Sequence, residues 1–403
     1  PRYKKRLATD YTLPKATLKD IHATIPKELR ERSTLKGLAW AARDALLCYI
    51  FYFAATRIDP LAEALKGSNI NTGAIFTIKW ALWATYWWFQ GLVGAGIFCI
   101  GHDAGHGSLS NYRQVNHTIG FIAHTFILAP YYSWRRSHHL HHKSTGSMER
   151  DENYVPKTRS ELGMAQEAVM KDKDYLDIFE ETPIWTLFRM IVMQTWGWSL
   201  YLTYNTLGSP MYPDGTNHWF PSSALFRKSD RIPVIITNVG LSIWSACLVA
   251  WTYSAGIATF TKFYFIPYVL TNHWIVMFTY LHHTDPTMPH FRKDTWTFLR
   301  GAVTTVDRPL MGWMGRFFLH NISHDHVAHH FFSSAPFWNG PELSKHVRKV
   351  LGDDYNSDSS NTWRALYRSF TQCECFLSFL GDIVFFKNRE GKRVRKVAGE
   401  AEL

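Results

Sequence analysis

Cysteine and charge are both scarce in this chain of 403 residues. Its 5 cysteines are scattered without a CxxC spacing. Neither a zinc ribbon nor a disulfide-stapled secreted scaffold is therefore supported, and reduced thiols in a cytosol-facing protein are expected. No glycine-rich phosphate loop, no GxSxG and no Ser/His/Asp order can be found, so the common nucleotide and serine-hydrolase chemistries have no carrier. Only 19% of the residues are charged, whereas 46% are hydrophobic and 16% aromatic. That balance excludes a disordered or fibrous chain. The net charge of +11 is concentrated at the two ends, in Arg2, Lys4, Lys5 and Arg6 and in Lys387, Arg389, Lys392, Arg393, Arg395 and Lys396. Interleaved basic and aromatic nucleic-acid motifs are missing, and positive-inside ends of a membrane protein explain the charge better.

The mean hydropathy of −0.18 resembles that of a soluble protein, but it pools a polar part with long apolar runs. Residues 1–36 are polar and contain Pro14 and Pro26, so no signal peptide is expected there and the N-terminus is expected in the cytosol. A span needs about 20 mostly apolar residues. Leu38–Ile58 qualifies despite Arg43 and Asp44, and Gly73–Ile100 qualifies with Lys79 as its one charge. Ile232–Thr261 and Phe263–Thr284 are free of charge and flank Lys262. Gln114–Trp134 and Met190–Pro213 also lack charged residues, so hydropathy alone gives six spans. Gly91–Gly96 reads as a stripe of small residues for close helix packing.

Among 20 histidines, three clusters stand out: His102 and His106 as HxxxH, His138-His139-Leu140-His141-His142, and His326, His329 and His330 as HxxHH. Residues three and four apart share a helix face, so each spacing presents imidazoles together. The clusters give eight neutral nitrogen ligands (His102, His106, His138, His141, His142, His326, His329, His330), as many as two iron ions use, and imidazole suits both iron and zinc. If the clusters build one site they lie on one side of the bilayer, and an even number of spans separates consecutive clusters. Gln114–Trp134, which carries His117 and His124, is then expected along the interface. Met190–Pro213, with Gln194 and Asn205, is also expected not to cross. The expectation is an all-α integral membrane protein. Residues 1–37 form a cytosolic segment, 38–100 a first transmembrane pair and 101–231 a cap with the first two clusters. Residues 232–284 form a second pair, and 285–403 a cap with the third cluster.

The motifs GHDAGHGSLS, PYYSWRRSHHLHHKSTGSMERDENYVPK, TYLHHTDPTMPHF, LRGAVTTVDR and HNISHDHVAHHFFS resemble those of the membrane fatty acyl desaturases, closest to the Δ12 (oleate) and ω3 enzymes of fungi and plants. The similarity runs from about residue 10 to the GDIVFFKN near the end, and three boxes in order at these separations are highly specific. The resemblance implies four spans, a cytosolic cap, two histidine-held iron ions and O2 as co-substrate. It also implies a further ligand at His283, followed by Thr284; His282 beside it reads as a neighbour of the site. The His-Pro-Gly-Gly heme signature of cytochrome b5 is absent, so separate cytochrome b5 with its NAD(P)H-dependent reductase is the expected electron donor. The substrate implied is a fatty acyl lipid or acyl-CoA in the endoplasmic reticulum membrane.

An all-imidazole site is strongly positive, so nearby carboxylates are needed to orient the rings. Asp103 and Asp325, adjacent to box histidines, are preferred over Glu149, Asp151 and Glu152; Asp285 and Asp307 are also available. The chain departs from the family pattern at HHLHH, where plant oleate desaturases carry two Arg between the outer histidines. It departs again at the extra His324 and at Trp338 and Gly340 after the third box. The same ligands serve acyl hydroxylases and acetylenases, which stay open as alternatives. A membrane zinc-binding or transport protein is the alternative of another class.

Overall fold

The computed structural model describes residues 2–155, 182–375, 381–388 and 390–399. Helices dominate, because the apolar runs are long and free of internal breakers. Ser33 caps the helix Thr34–Ala55 by accepting from the Lys36 amide. With the helix Ile58–Leu65 it forms one of two stretches among the described residues that are long and apolar enough to cross a membrane, the other being Lys228–Ala255.

The helix Thr72–His106 has 35 residues, about 52 Å at the helical rise. This exceeds the roughly 30 Å of a bilayer's hydrocarbon, so the histidine end can stand clear of an apolar layer. Every residue from Gln90 to Gly105 is buried. The glycines explain how: a Cβ at Gly91 would lie 2.5 Å from the Leu270 Cβ, and one at Gly94 only 2.0 Å from the Thr271 Oγ1. The GLVGAG stripe is therefore the seam along which this helix meets the helix Ile266–His283.

Three apolar runs fold differently from one another. Gln114–Trp134 yields the helix Arg113–Phe126, whose 14 residues reach about 21 Å, too short to span. His124 of this helix stacks on Phe98 with centroids 5.0 Å apart and bonds the Phe98 carbonyl at 3.1 Å. Met190–Pro213 gives most of the helix Pro183–Tyr204, packed on Ile266–His283 where a Cβ at Gly197 would lie 3.4 Å from a Val276 methyl. The expected run Ile232–Thr261 does not stay whole. Its helix, Arg231–Ala255, stops at Gly256 with φ of 86°; Ile257–Phe260 starts a new element that passes through a π-turn at Thr261–Phe265 into Ile266–His283. Pro267 has no amide to return to the carbonyl of Phe263. That carbonyl accepts from the Tyr86 hydroxyl at 3.2 Å instead.

Among the described residues, short helices pack at the histidine end as a cap. Val327, Phe331, Leu343, Val347 and Tyr355 make its core with Ile21 and Ile25 from near the start of the chain, and strands Pro289–Phe291 and Ile383–Phe385 pair antiparallel. Where Ile266–His283 enters the cap, Asp285 is fully buried between Arg308 at 2.8 Å and Arg6 at 3.4 Å. Arg308 also holds Asp358 at 2.5 Å.

Gly94→Val forces a branched side chain into the Thr271 hydroxyl. Overpacking of this kind costs about 1–3 kcal/mol, so the variant should melt at lower temperature in detergent than wild type. Thr271→Ala in the same chain should recover part of the loss.

Candidate metal centre

Four helix ends converge at the base of the cap. Thr72–His106 brings His102 and His106, Tyr131–Ser144 brings His138, His141 and His142, and Ile266–His283 ends on His283. The six-residue helix His326–Phe331 brings the rest, its first turn held by the Asp307 carboxylate, which accepts from the Val327 amide at 2.8 Å.

Helical phase sorts the imidazoles into two groups. In one, the ligating nitrogens of His102, His106, His138, His142 and His329 all lie within 4.8 Å of one another; in the other, those of His141, His283 and His330 do. His326 adjoins the second group, its Nε2 3.0 Å from the Nε2 of His283 and 3.1 Å from that of His330. Each residue of a helix turns by about 100°. His138 and His142 thus lie about 40° apart around their helix while His141 is turned about 60° to the other side of His138, and His326, His330 and His329 repeat the arrangement. The second and third boxes exchange one histidine each.

The geometry fits metal ions. Two imidazole nitrogens bound to one ion at about 2.1 Å and at a right angle stand about 3 Å apart, and the facing Nε2 pairs measure 3.0 Å for His326 and His283, 3.1 Å for His138 and His142, and 3.4 Å for His141 and His283. The Nε2 atoms of His102, His106 and His329 are buried without a hydrogen-bond partner, each a cost of about 1–3 kcal/mol unless something else satisfies it. Burial first, and neighbouring histidines second, hold His106, His138, His142, His326 and His330 well below the usual imidazole range. They are neutral, the form that binds metal.

The other ring nitrogens are fixed from behind. Asp103 accepts from the His102 Nδ1 at 2.8 Å. Asp151 accepts from the His141 Nδ1 at 2.7 Å and from the Gly146 amide at 2.7 Å. Thr145 donates to the His141 carbonyl at 2.6 Å, which leaves its oxygen to accept from the His330 Nδ1 at 3.2 Å.

Of the two carboxylates preferred from sequence, Asp103 holds a box histidine and Asp325 does not. Asp325 accepts from Arg316 at 2.8 Å. Asp151 takes the role instead, because the turn after the second box folds its carboxylate back onto that helix. Asp285 faces arginines, Glu152 accepts from the Tyr212 hydroxyl at 2.7 Å, and Glu149 stands 3.9 Å from Arg292. His282 stacks on His326 with centroids 3.9 Å apart but joins neither group. His324 pairs with the Ser323 hydroxyl at 3.0 Å, and His139 with the Gly105 carbonyl at 2.9 Å.

A cavity of about 550 Å³ opens onto His102, His138, His141, His283 and His326. Phe98, Trp134, Trp198, Val276 and Phe278 form its apolar walls, and Asn153, Tyr154, Tyr201 and Thr279 supply a few polar groups. None of these four was singled out from the sequence; the density of Trp and Tyr in the helix Pro183–Tyr204 is the signal that could have found this wall. Trp338 and Gly340 do not line it. Trp338 packs on the cluster of Ile100, Ala104 and Leu109, and a Cβ at Gly340 would lie 3.3 Å from the Asp325 Cβ.

The family model described as fatty acid desaturase matches residues 78–361. A Delta(12) fatty acid desaturase of Mortierella isabellina is 39% identical over 383 residues, which cover 94% of this chain and 92% of that protein. An oleate hydroxylase of Claviceps purpurea is 36% identical over 371 residues, 87% of this chain and 74% of its own length. The Delta(12)-fatty-acid desaturase of Arabidopsis thaliana is 33% identical over 381 residues, 93% of this chain and 92% of its own.

Carboxylates that orient metal-binding histidines are typically worth about 10–100-fold in metal affinity. Asp151→Asn should weaken metal retention by that order while Asp325→Asn leaves it near wild type, as read by metal analysis of the two purified proteins.

Proposed function

The chain belongs to the fatty acid desaturase family, and on that premise we propose that it is an O2-dependent Δ12 acyl desaturase that converts oleoyl to linoleoyl chains on a lipid carrier. The observation that carries this reading is the pair of facing imidazole groups opening onto one apolar cavity.

His102, His106, His138, His142 and His329 would hold one iron ion, and His141, His283, His326 and His330 the other. Two iron ions there would supply the O2-derived oxidant that an unactivated methylene requires and no side chain provides. The protein's own share is placement. Phe98, Trp134 and Trp198 receive the acyl chain, exclude water and hold one methylene close to the imidazoles, where proximity rather than affinity selects the C–H bond. Asp103, Asp151 and Thr145 keep the three rings they bond from turning.

The same reading places four spans in the endoplasmic reticulum membrane, at 34–55, 72–100, 231–255 and 257–283, with the cap in the cytosol. Parity of the histidine clusters, the 14-residue helix Arg113–Phe126 and the basic residues at both ends support this arrangement. Electrons come one at a time from cytochrome b5, whose acidic face suits a basic cytosolic surface. Family membership leaves the zinc-transport alternative without support. Hydroxylation is the second reading, favoured by the oleate hydroxylase among the relatives, and an ω3 double bond is a third outcome of the same chemistry.

Expressed in yeast, the protein should make linoleate from endogenous oleate, and Ala at any of the nine histidines should abolish that product without loss of membrane insertion. Gas chromatography with mass spectrometry of total lipids checks both. Ricinoleate alone would transfer the reading to a hydroxylase, and full activity in three or more of the His→Ala variants would refute the single site.

For the topology, a glycosylation acceptor inserted between residues 66 and 71 should be modified and one between 107 and 112 should not. The reverse pattern would place the histidines in the lumen and overturn the four-span arrangement.

A further inference from the structure

Tyr154 stands in a conformation its residue type rarely adopts. Its φ is 61°, in the left-handed region that disfavours bulky side chains, and such outliers persist where the surroundings enforce them. The enforcement is visible. Its amide donates to the Leu207 carbonyl at 2.7 Å. On one side of it the Ser209 amide donates to the Glu152 carbonyl at 3.0 Å; immediately before it, Asn153 accepts from the Tyr201 hydroxyl at 2.8 Å and donates from its own amide to Asp151 at 3.2 Å.

What this backbone achieves is the placement of one ring. The Tyr154 ring lies nearly parallel to His283, with centroids 4.8 Å apart and an interplanar angle of 13°. It meets His141 edge-on, at 5.9 Å and 68°. These two imidazoles come from different helices, and their Nε2 atoms face each other at 3.4 Å. His141 is fixed from behind by Asp151, whereas among the described residues neither ring nitrogen of His283 bonds a carboxylate, hydroxyl or carbonyl, and its Nε2 faces the imidazoles of His141 and His326. A flat aromatic surface is thus the contact that restrains the His283 plane from the cavity side. The Tyr154 hydroxyl bonds neither His141 nor His283, and Thr279, one turn earlier on the helix that carries His283, shares the cavity wall with it.

We propose that Tyr154 is a positioning residue whose ring, not its hydroxyl, seats His283 against His141 in the second imidazole group. The proposal rests on the functional reading above for its link to catalysis but not for its link to metal binding. The segment Asp151–Tyr154 then works as one device: a carboxylate fixes the first imidazole and, three residues on, an aromatic face fixes the second.

Two measurements on full-length protein purified in detergent test it. Co2+ titration of metal-stripped protein reads the site without the reaction, and linoleate formation in yeast reads the reaction. In Tyr154→Leu, one of the two Co2+ equivalents should bind about tenfold more weakly, the order expected for loss of an orienting partner, and linoleate should fall in parallel. Tyr154→Phe, which keeps the ring, should match wild type within about twofold in both. Leu207→Ala trims the same cavity wall but keeps the backbone carbonyl that accepts from the Tyr154 amide, and it should leave Co2+ binding unchanged. If Tyr154→Leu does not elute as a folded monodisperse species, Tyr154→Met replaces it with the same expectation. The proposal is overturned if the aliphatic variant binds Co2+ as wild type does, if Tyr154→Phe is impaired equally, or if Leu207→Ala loses Co2+ to the same extent. Should wild type bind two Co2+ and make no linoleate, the desaturase reading fails; the Co2+ comparison still decides Tyr154.

Discussion

The structure depends on bringing nine imidazoles from four helices to face one another in a largely buried site. Left to themselves, facing nitrogens with no shared proton repel, and buried ones without a partner lose their hydration uncompensated. A cation between them turns the same geometry into a gain. Every other strong feature of the fold serves to bear or direct that convergence. The glycine seam at Gly91 and Gly94 lets the first-box helix run against the helix that ends on His283. The buried charges at Asp285, Arg308 and Asp358 fix the point where that second helix leaves its straight path. Removing one partner of such a cluster would strand a buried charge, so the anchor is rigid by necessity.

The division of the histidines follows from the same helical rotation that defines the motifs. An HxxxH pair alone offers two nitrogens on one face. Adding a third histidine three residues from the first turns a donor to the neighbouring direction, and two such boxes facing each other fill two sites by reciprocal exchange of His141 and His329. Neither box builds an ion site alone. The two are thereby locked in register, and a slip of either helix by one residue would empty both groups together.

Much of this was legible in the sequence, and the limits have physical reasons. Helices, the histidine clusters and the small-residue stripe are local patterns governed by a fixed rotation per residue, so spacing reveals them. The ending of Arg231–Ala255 at Gly256 was hidden, because an apolar composition is blind to a left-handed backbone inside it. Carboxylate roles were misread where adjacency stood in for geometry. Asp325 sits beside His326 yet turns to Arg316, while Asp151 reaches His141 only because a turn reverses the chain after the second box. The cavity wall was legible only in the Trp and Tyr density of the helix Pro183–Tyr204; Tyr154, Tyr201 and Thr279 come from three separated segments, and no spacing relates them.

Those wall residues are also where the outcome of the reaction must be decided. Relatives named for desaturation and relatives named for hydroxylation both match nearly the whole chain, so overall likeness does not separate them, and the facing imidazoles supply the same donor set to either chemistry. The difference between losing a second hydrogen and capturing oxygen is a matter of how far the reacting carbon can move toward the metal side, a displacement of an ångström or less in a site where such shifts are costly. On the proposed function, that distance is set by the cavity walls an acyl chain would meet: Phe98 and Trp134 at the imidazole end, and the helix Pro183–Tyr204 along the side. Trp338 and Gly340, the places where the sequence most visibly departs from its relatives' pattern, touch none of that surface. Their effect on the product therefore passes through packing, Trp338 against Ile100 and Ala104 of the first-box helix and Gly340 beside Asp325 at the start of the third-box helix, without meeting the substrate.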